Sequence, residues 1–383
     1  MTQAEGPRLA IIGCEDVVAH HLLPSLLRIG WLPTVLVDRS RARCEKLLPQ
    51  FGPRASVTIV SDWVEADGKF DAAIVATPSA ARGTIGNALA GRGIHLLVEK
   101  PLASTLAQAE QMVATADAQG AVLAVGLLRR HLMIARWTKA LLVSGILGRI
   151  ERFEACEGFV YNWAVNSPDT LCPGTTGGRV AEIGAHVLDL LLWWFGEVRK
   201  VTCRGDFRLG AEAGCRLDLV MESGAVGAFD LGRSRKLRNT VRIVGSEGHV
   251  EVHLYTNNVI SASTKVLSFV HEGASPRTMR PQIFPDLFDA ELRDFREAAV
   301  KRSAPAVGGR ESLRSLALIE RCFTNYGPLA LPWVARPPRL GPSAIRGRPG
   351  EAPGACGFIG GRSGEQPDRN DGAAGRCTSR SLA

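Results

Sequence analysis

No stretch of this 383-residue chain approaches the roughly 18 consecutive apolar residues that a membrane helix needs. No Lys/Arg run is interleaved with aromatic residues, so the usual footprint of nucleic-acid binding is missing despite a net charge of +8. No CxxC pair occurs among the nine cysteines, which read as reduced thiols with packing roles. The opening Met1 to Pro7 is short, polar and runs straight into a strand, so no signal peptide is expected and the expected location is the cytoplasm.

Two domains are the natural expectation for this length. Short apolar strands alternate with helices from Arg8 to Val125. That pattern predicts an α/β fold, with a doubly wound parallel Rossmann sheet over residues 1–128. Beyond residue 130, strand candidates follow one another at 151–160, 200–208, 214–221, 225–232, 240–245, 248–254 and 258–270. They predict a second, α+β domain over 129–334, built on a mostly antiparallel open sheet for substrate binding and oligomerisation. Helices are expected at Val180 to Phe195, Phe284 to Val300 and Glu311 to Tyr326. The segment 335–383 is rich in Gly, Pro and Arg; its composition cannot offset the entropy of ordering and reads as a disordered tail. Residues 337–383 hold seven Arg against four acids, so +3 of the net charge lies there and +5 (8 minus 3) in the body. A mild basic bias favours anionic ligands.

Three local features carry chemistry. The first is Leu96-Leu97-Val98-Glu99-Lys100-Pro101, a buried strand that must stop at the proline. Glu99 and Lys100 then stand at the carboxyl end of a sheet strand, where open α/β folds bind ligands. The plainer reading of an isolated Glu-Lys-Pro is a solvated salt-bridged turn.

The second is the turn after the first strand, Gly13-Cys14-Glu15-Asp16-Val17-Val18. Gly13 supplies the first glycine of a G-x-G-x-x-G fingerprint, while Glu15 and Val18 occupy the other two glycine positions. Gly13, Cys14 and Val17 are the residues this turn offers a dinucleotide. Asp38 closes the second strand, 25 residues after Gly13. It reads either as the acceptor for the adenine-ribose hydroxyls or as a helix N-cap. Arg39, Arg41 and Arg43 follow and would tolerate a 2′-phosphate; Asp38 favours NAD, with NADP allowed. Thr77 and Pro78 follow the fourth strand and can face a cofactor, or simply start a helix.

The third is a greasy helix with one polar face. Glu182, His186 and Asp189 fall at i, i+4 and i+7, while Val187, Leu188 and Leu190 to Phe195 are apolar. His186 reads as a packed structural histidine, as a metal ligand, or as a general acid/base. No further histidine lies near in sequence, so no metal is expected. Gly174 to Gly178 form a glycine-rich loop before this helix.

Taken in order, Thr77-Pro78, Glu99-Lys100-Pro101, Arg129-Arg130 and the glycine-led Glu-x-x-x-His-x-x-Asp helix resemble the Gfo/Idh/MocA oxidoreductases over about residues 7–334. The resemblance implies an NAD(P)-dependent dehydrogenase or reductase. It implies Lys100 beside the nicotinamide and His186 as the acid/base, with Glu182 orienting it or binding a hydroxyl. Arg130, Tyr161, Trp163 and Asp189 would line the pocket of a sugar, cyclitol or polyol. A homodimer or homotetramer is implied as well. Three departures stand out: Glu15 for the second glycine, Arg82 where many members carry a histidine among the cofactor contacts, and Glu182 for an aspartate. The rival expectation is a catalytically silent homologue that binds a ligand or serves as a scaffold, and Glu15 is the feature that favours it.

Overall fold

The structure is a computed structural model. It describes residues 6–52, 56–160, 183–208, 211–233, 235–256, 259–264, 268–274, 284–324 and 326–329. The expected tail over 335–383 and the glycine-rich loop lie outside these.

Six short apolar strands form the first sheet: β1 (Leu9–Ile12), β2 (Pro33–Val37), β3 (Thr58–Val60), β4 (Ala72–Val75), β5 (His95–Val98) and β6 (Leu123–Val125). Their order is β3-β2-β1-β4-β5-β6, and every neighbouring pair is parallel. Each residue of β1, β4 and β5 is buried, as a sheet covered on both faces requires. Strand order reverses between β1 and β4. The carboxyl ends of β1, β4 and β5 therefore open onto a switch-point crevice. Helices α1 (Leu23–Ile29), α2 (Arg41–Phe51), α3 (Ser79–Ala90) and α4 (Leu106–Gln119) make the crossovers.

The helix after β1 is not uniform. It opens as α at Asp16 and Val17, winds as a π-helix over Val18–Leu22 and returns to α in α1, whose second residue is Pro24. Proline has no N–H to close an i→i−4 bond, and the wider turn takes up that mismatch.

A 3₁₀ turn, Leu128–His131, and α5 (Met133–Val143) follow β6. The second sheet contains β7 (Ile150–Gly158), β8 (Val198–Arg208), β9 (Ala211–Met221), β10 (Val226–Gly232), β11 (Thr240–Gly245), β12 (Gly248–His253), β13 (Val259–Thr264), β14 (Ser268–Ala274) and β15 (Tyr326–Pro328). Their order is β14-β13-β12-β11-β7-β10-β9-β8-β15. The sheet is mostly antiparallel, as expected, but β7 runs parallel to β10 and β15 parallel to β8. The single strand expected over 258–270 is two strands that pair antiparallel. Residues 259–270 contain no Gly, Pro, Asn or Asp, so no turn signal divides them in the sequence. The short β15, with Pro328 tolerable only on an edge, was not expected either.

Helices α6 (Ala185–Phe195), α7 (Phe284–Lys301) and α8 (Gly309–Thr324) complete the fold. One face of the second sheet is apolar: Phe153, Ala155, Leu217, Leu219, Phe229, Leu231, Val241 and Ile243 are all buried. Phe153 stacks on Phe195 of α6 at 4.4 Å between ring centroids. Burial of each of the Phe, Leu, Val and Ile side chains contributes roughly 1.5–3 kcal/mol. The other face carries paired charges: Arg204 with Asp218, Arg216 with Asp230 at 2.7 Å, and Arg242 with Glu251 at 4.0 Å.

Candidate active site

The crevice is built first by three strand-end turns. Gly13 ends β1 with φ +91°. A Cβ there would lie 2.8 Å from the backbone of Ala76 and Thr77, so only glycine lets the β1 and β4 turns approach. The next amide, Cys14 N–H, donates to Asp38 Oδ2 at 2.9 Å, and Ser40 N–H donates to Asp38 Oδ1 at 2.8 Å. Asp38 is buried and ties the ends of β1 and β2 together. It does not cap α2: the N-cap position is Ser40, without a side-chain cap bond. Cys14 is buried with its Sγ 3.6 Å from that of Cys44, while Val17 is half-buried against the core. Glu15 pairs with Arg43 at 2.8 Å, and Arg39 is exposed.

Thr77 ends the β4 turn with its Oγ1 buried and without a hydrogen-bond partner among the described residues. Pro78 is exposed at the N-cap position of α3. Arg82, one turn into α3, is buried; it donates to the carbonyls of Thr77 and, at 2.6 Å, Pro101. It thus fastens the β4 turn to the β5 turn. Burial pulls its pKa down to about 10, and the Glu99 carboxylate opposes that. Glu99 is pushed up by burial, against the pull of Lys100 and Arg82. The Lys100–Pro101 peptide is cis.

The opposite wall comes from the second sheet and α6. His186 is held well below the usual imidazole range by burial first, then by the charges of Lys100 and Arg129. Two charges far from it in sequence therefore act on His186. The His186 Nδ1 is buried without a partner among the described residues. Arg129 forks onto Glu157 of β7, with contacts of 2.5 and 3.2 Å, and donates to the Tyr255 hydroxyl at 2.6 Å. Tyr255 also donates to Glu157, and the guanidinium lies 4.5 Å over its ring. Arg130 forks onto Asp189 of α6 at 2.7 and 2.6 Å, both side chains buried. His131, buried beside Arg136 and Arg130, falls to about 4, burial being the main cause.

The Lys100 charge thus reaches His186, the β4 and β5 turns are joined through Arg82, and Arg130 and Asp189 close on each other. Glu182, Tyr161 and Trp163 lie outside the described residues. Sequence reasoning did not single out Glu157, Tyr255 or Glu291. Glu157 sits at an inward position of an alternating strand, a polar residue where Phe153 and Ala155 precede it; that break in pattern was the available signal. Glu291 of α7 is buried with both carboxyl oxygens unpartnered among the described residues. Burial, then Glu99 and Asp294, raise its pKa well above the usual range.

A parallel sheet with a glycine turn at the switch point, a helix start beyond it, a carboxylate at the end of β2 and an orphan hydroxyl at Thr77 fit a bound dinucleotide. Residues 7–127 match the model of an oxidoreductase family with an NAD-binding Rossmann fold, and residues 135–251 match a GFO/IDH/MocA C-terminal domain. The chain belongs to the Gfo/Idh/MocA oxidoreductases. It is 26% identical to a 1,5-anhydro-D-fructose reductase from Ensifer adhaerens over 324 residues, covering 81% of this chain and 93% of that protein. It is 28% identical to a myo-inositol dehydrogenase from Streptomyces leeuwenhoekii over 343 residues, covering 83% and 97%. Its fold resembles the WlbA dehydrogenase from Bordetella pertussis, solved with NADH and UDP-GlcNAcA. The TM-score is 0.73 at 20% identity, covering 85% of this chain and 96% of that one. No helix among the described residues is long and apolar enough to cross a membrane.

Proposed function

We propose that this chain moves a hydride between a nicotinamide dinucleotide and a carbinol or carbonyl carbon of a sugar, cyclitol or sugar derivative. The observation that supports the reading is a deeply buried His186, held well below the usual imidazole range by burial and then by the charges of Lys100 and Arg129, with Nδ1 unpartnered among the described residues. The reductase and dehydrogenase relatives support the substrate class.

The dinucleotide, when bound, supplies the hydride acceptor or donor. Gly13, Cys14 and Val17 would form the floor of its phosphate turn, with Asp38 and Arg39 at the ribose and Thr77 and Pro78 at the nicotinamide half. Arg82 and Glu99 hold that half from behind. In the oxidative direction the carbinol C–H and O–H bonds break and a C=O bond forms. His186, neutral, takes the hydroxyl proton. The Lys100 ammonium stabilises negative charge developing on the same oxygen. Reduction runs the same steps backwards. Glu182, Tyr161 and Trp163 complete the substrate side in this reading. Arg130 and Asp189 contribute by fixing the 3₁₀ turn against α6, since each already satisfies the other.

The same reading gives residues 1–128 to the dinucleotide and 129–334 to substrate and assembly. It places the protein in the cytoplasm as a homodimer or homotetramer formed through the charged outer face of the second sheet. Titration with NADH and NADPH, followed by a screen of polyols and sugars with both, tests it. Binding of at least one dinucleotide and turnover of a polyol or sugar are expected. Failure of both dinucleotides to bind at millimolar concentration would overturn it in favour of a non-catalytic homologue.

A further inference from the structure

Glu15 occupies the position where a dinucleotide fingerprint carries its second glycine, and the structure shows where its charge goes. The carboxylate is 2.8 Å from Arg43 Nη1, and the same nitrogen is 3.7 Å from Asp38 Oδ1. Glu15 and Arg43 are both about half exposed, whereas the Asp38 side chain is only 7% exposed. Arg43 is therefore held between two carboxylates, on the first turn of α2, beside the carboxylate assigned to the ribose. Arg41 is engaged as well, closing on Glu45 at 2.8 Å. Of the three arginines after Asp38, two are already neutralised by acids of this chain.

An arginine near the ribose acidic residue is what accommodates a 2′-phosphate in a Rossmann domain. Here, the guanidinium closest to Asp38 must leave Glu15 before it can take a phosphate. The two carboxylates left behind would then repel that phosphate. We propose that Glu15 is a specificity-determining residue: by clamping Arg43 against Asp38, it withholds that guanidinium from a 2′-phosphate and selects the unphosphorylated dinucleotide. This rests on the hydride-transfer reading above and adds the choice between its two cofactors. It also gives Glu15 a task at the adenosine end of the crevice, in place of a simple clash with the pyrophosphate.

The experiment is a set of binding titrations of NADH and NADPH, by fluorescence or calorimetry, on the full chain and on Glu15→Gln, Arg43→Ala and the double variant. The unaltered protein is expected to bind NADH more tightly. Glu15→Gln should tighten NADPH by roughly tenfold, the size of one charge-assisted hydrogen bond at a partly exposed site, with NADH changed less than about twofold. Adding Arg43→Ala should erase that gain. Arg43→Ala alone should weaken NADPH by a few-fold at most, through the two carboxylates it leaves uncompensated, because Arg43 does not serve the phosphate in the unaltered protein; this arm stands even if Glu15→Gln fails to fold.

A preference for NADPH in the unaltered protein would overturn the inference. So would an equal gain for both dinucleotides in Glu15→Gln, which would place the Glu15 charge at the pyrophosphate, or a tenfold loss of NADPH in Arg43→Ala. If none of the four proteins binds either dinucleotide, the hydride-transfer reading itself fails.

Discussion

The two walls of the crevice are built in opposite ways. On the Rossmann side, Gly13, Thr77 and Lys100 each sit where an apolar strand ends, and each is placed by the few residues around it. On the far side, His186, Arg129, Glu157 and Tyr255 come from α6, the 3₁₀ turn, β7 and the segment after β12. Arg129, Glu157 and Tyr255 hold one another by charge and hydrogen bonds, and the buried His186 feels the Arg129 charge. The first wall is a set of local turns on a covered sheet. The second is a buried polar network, in which desolvation of each ion is offset only while every partner is present. The near wall should therefore tolerate loss of a side chain structurally while losing chemistry; the far wall should lose structure as well.

The sharpest contrast is in turnover. Lys100→Met is expected to lower kcat by about 10³-fold while leaving the thermal midpoint within a few degrees. His186→Asn should cost a comparable roughly 10²–10⁴-fold. Steady-state assays paired with thermal melts measure both. An unfolded Lys100→Met would break the comparison.

Stability gives the next contrast. Glu157→Gln leaves the Arg129 guanidinium buried without its counter-charge and should destabilise the fold by about 3–5 kcal/mol in denaturant melts. Arg82→Met, on the near wall, removes hydrogen bonds to two carbonyls and should cost about 1–3 kcal/mol. Equal losses would mean that the two walls are held alike.

The His131 imidazole gives a pH signature of the junction between the walls. Its folded value of about 4 lies below the ordinary 6.5. Between those values, the unfolded chain takes up a proton that the fold refuses, so stability falls as the pH drops from 6.5 towards 4. From pH 7 to pH 5 this share is about 2 kcal/mol. His131→Asn should remove it, and melts at the two pH values will show an unchanged slope if the assignment is wrong.

The smallest effect belongs to Thr77. Its buried, unpartnered hydroxyl is a cost in the free protein. Thr77→Val should leave stability unchanged or raise it by about 1 kcal/mol. The same change should weaken dinucleotide binding several-fold. A destabilised variant with unaltered binding would remove Thr77 from the cofactor side.

The near wall was legible in the sequence because its parts are short and contiguous. An apolar run that ends in Glu-Lys-Pro marks a strand terminus wherever it occurs. A lone Gly13 before a helix marks a turn even with Glu15 beside it. The far wall was only partly legible. His186 and Asp189 declare themselves as polar positions on a greasy helix, but their partners do not. The Asp189 carboxylate meets Arg130, because the 3₁₀ turn brings that guanidinium against α6. Glu157 and Tyr255 lie 28 and 126 residues from Arg129, and no local pattern links such distances. The sequence does not reveal that Arg82 also joins two turns, through its bonds to the Thr77 and Pro101 carbonyls.

Apolar periodicity and strand-ending residues were enough to determine a doubly wound sheet, a mostly antiparallel second sheet and the positions of Lys100 and His186 along the chain. Those features depend on which residues prefer to be buried, a preference each segment carries with it. Which charge answers which was decided only by the tertiary fold: Arg43 to Glu15, Arg130 to Asp189, Arg129 to Glu157. Ion pairing depends on distances of a few ångströms between segments whose separation in sequence says nothing about their separation in space.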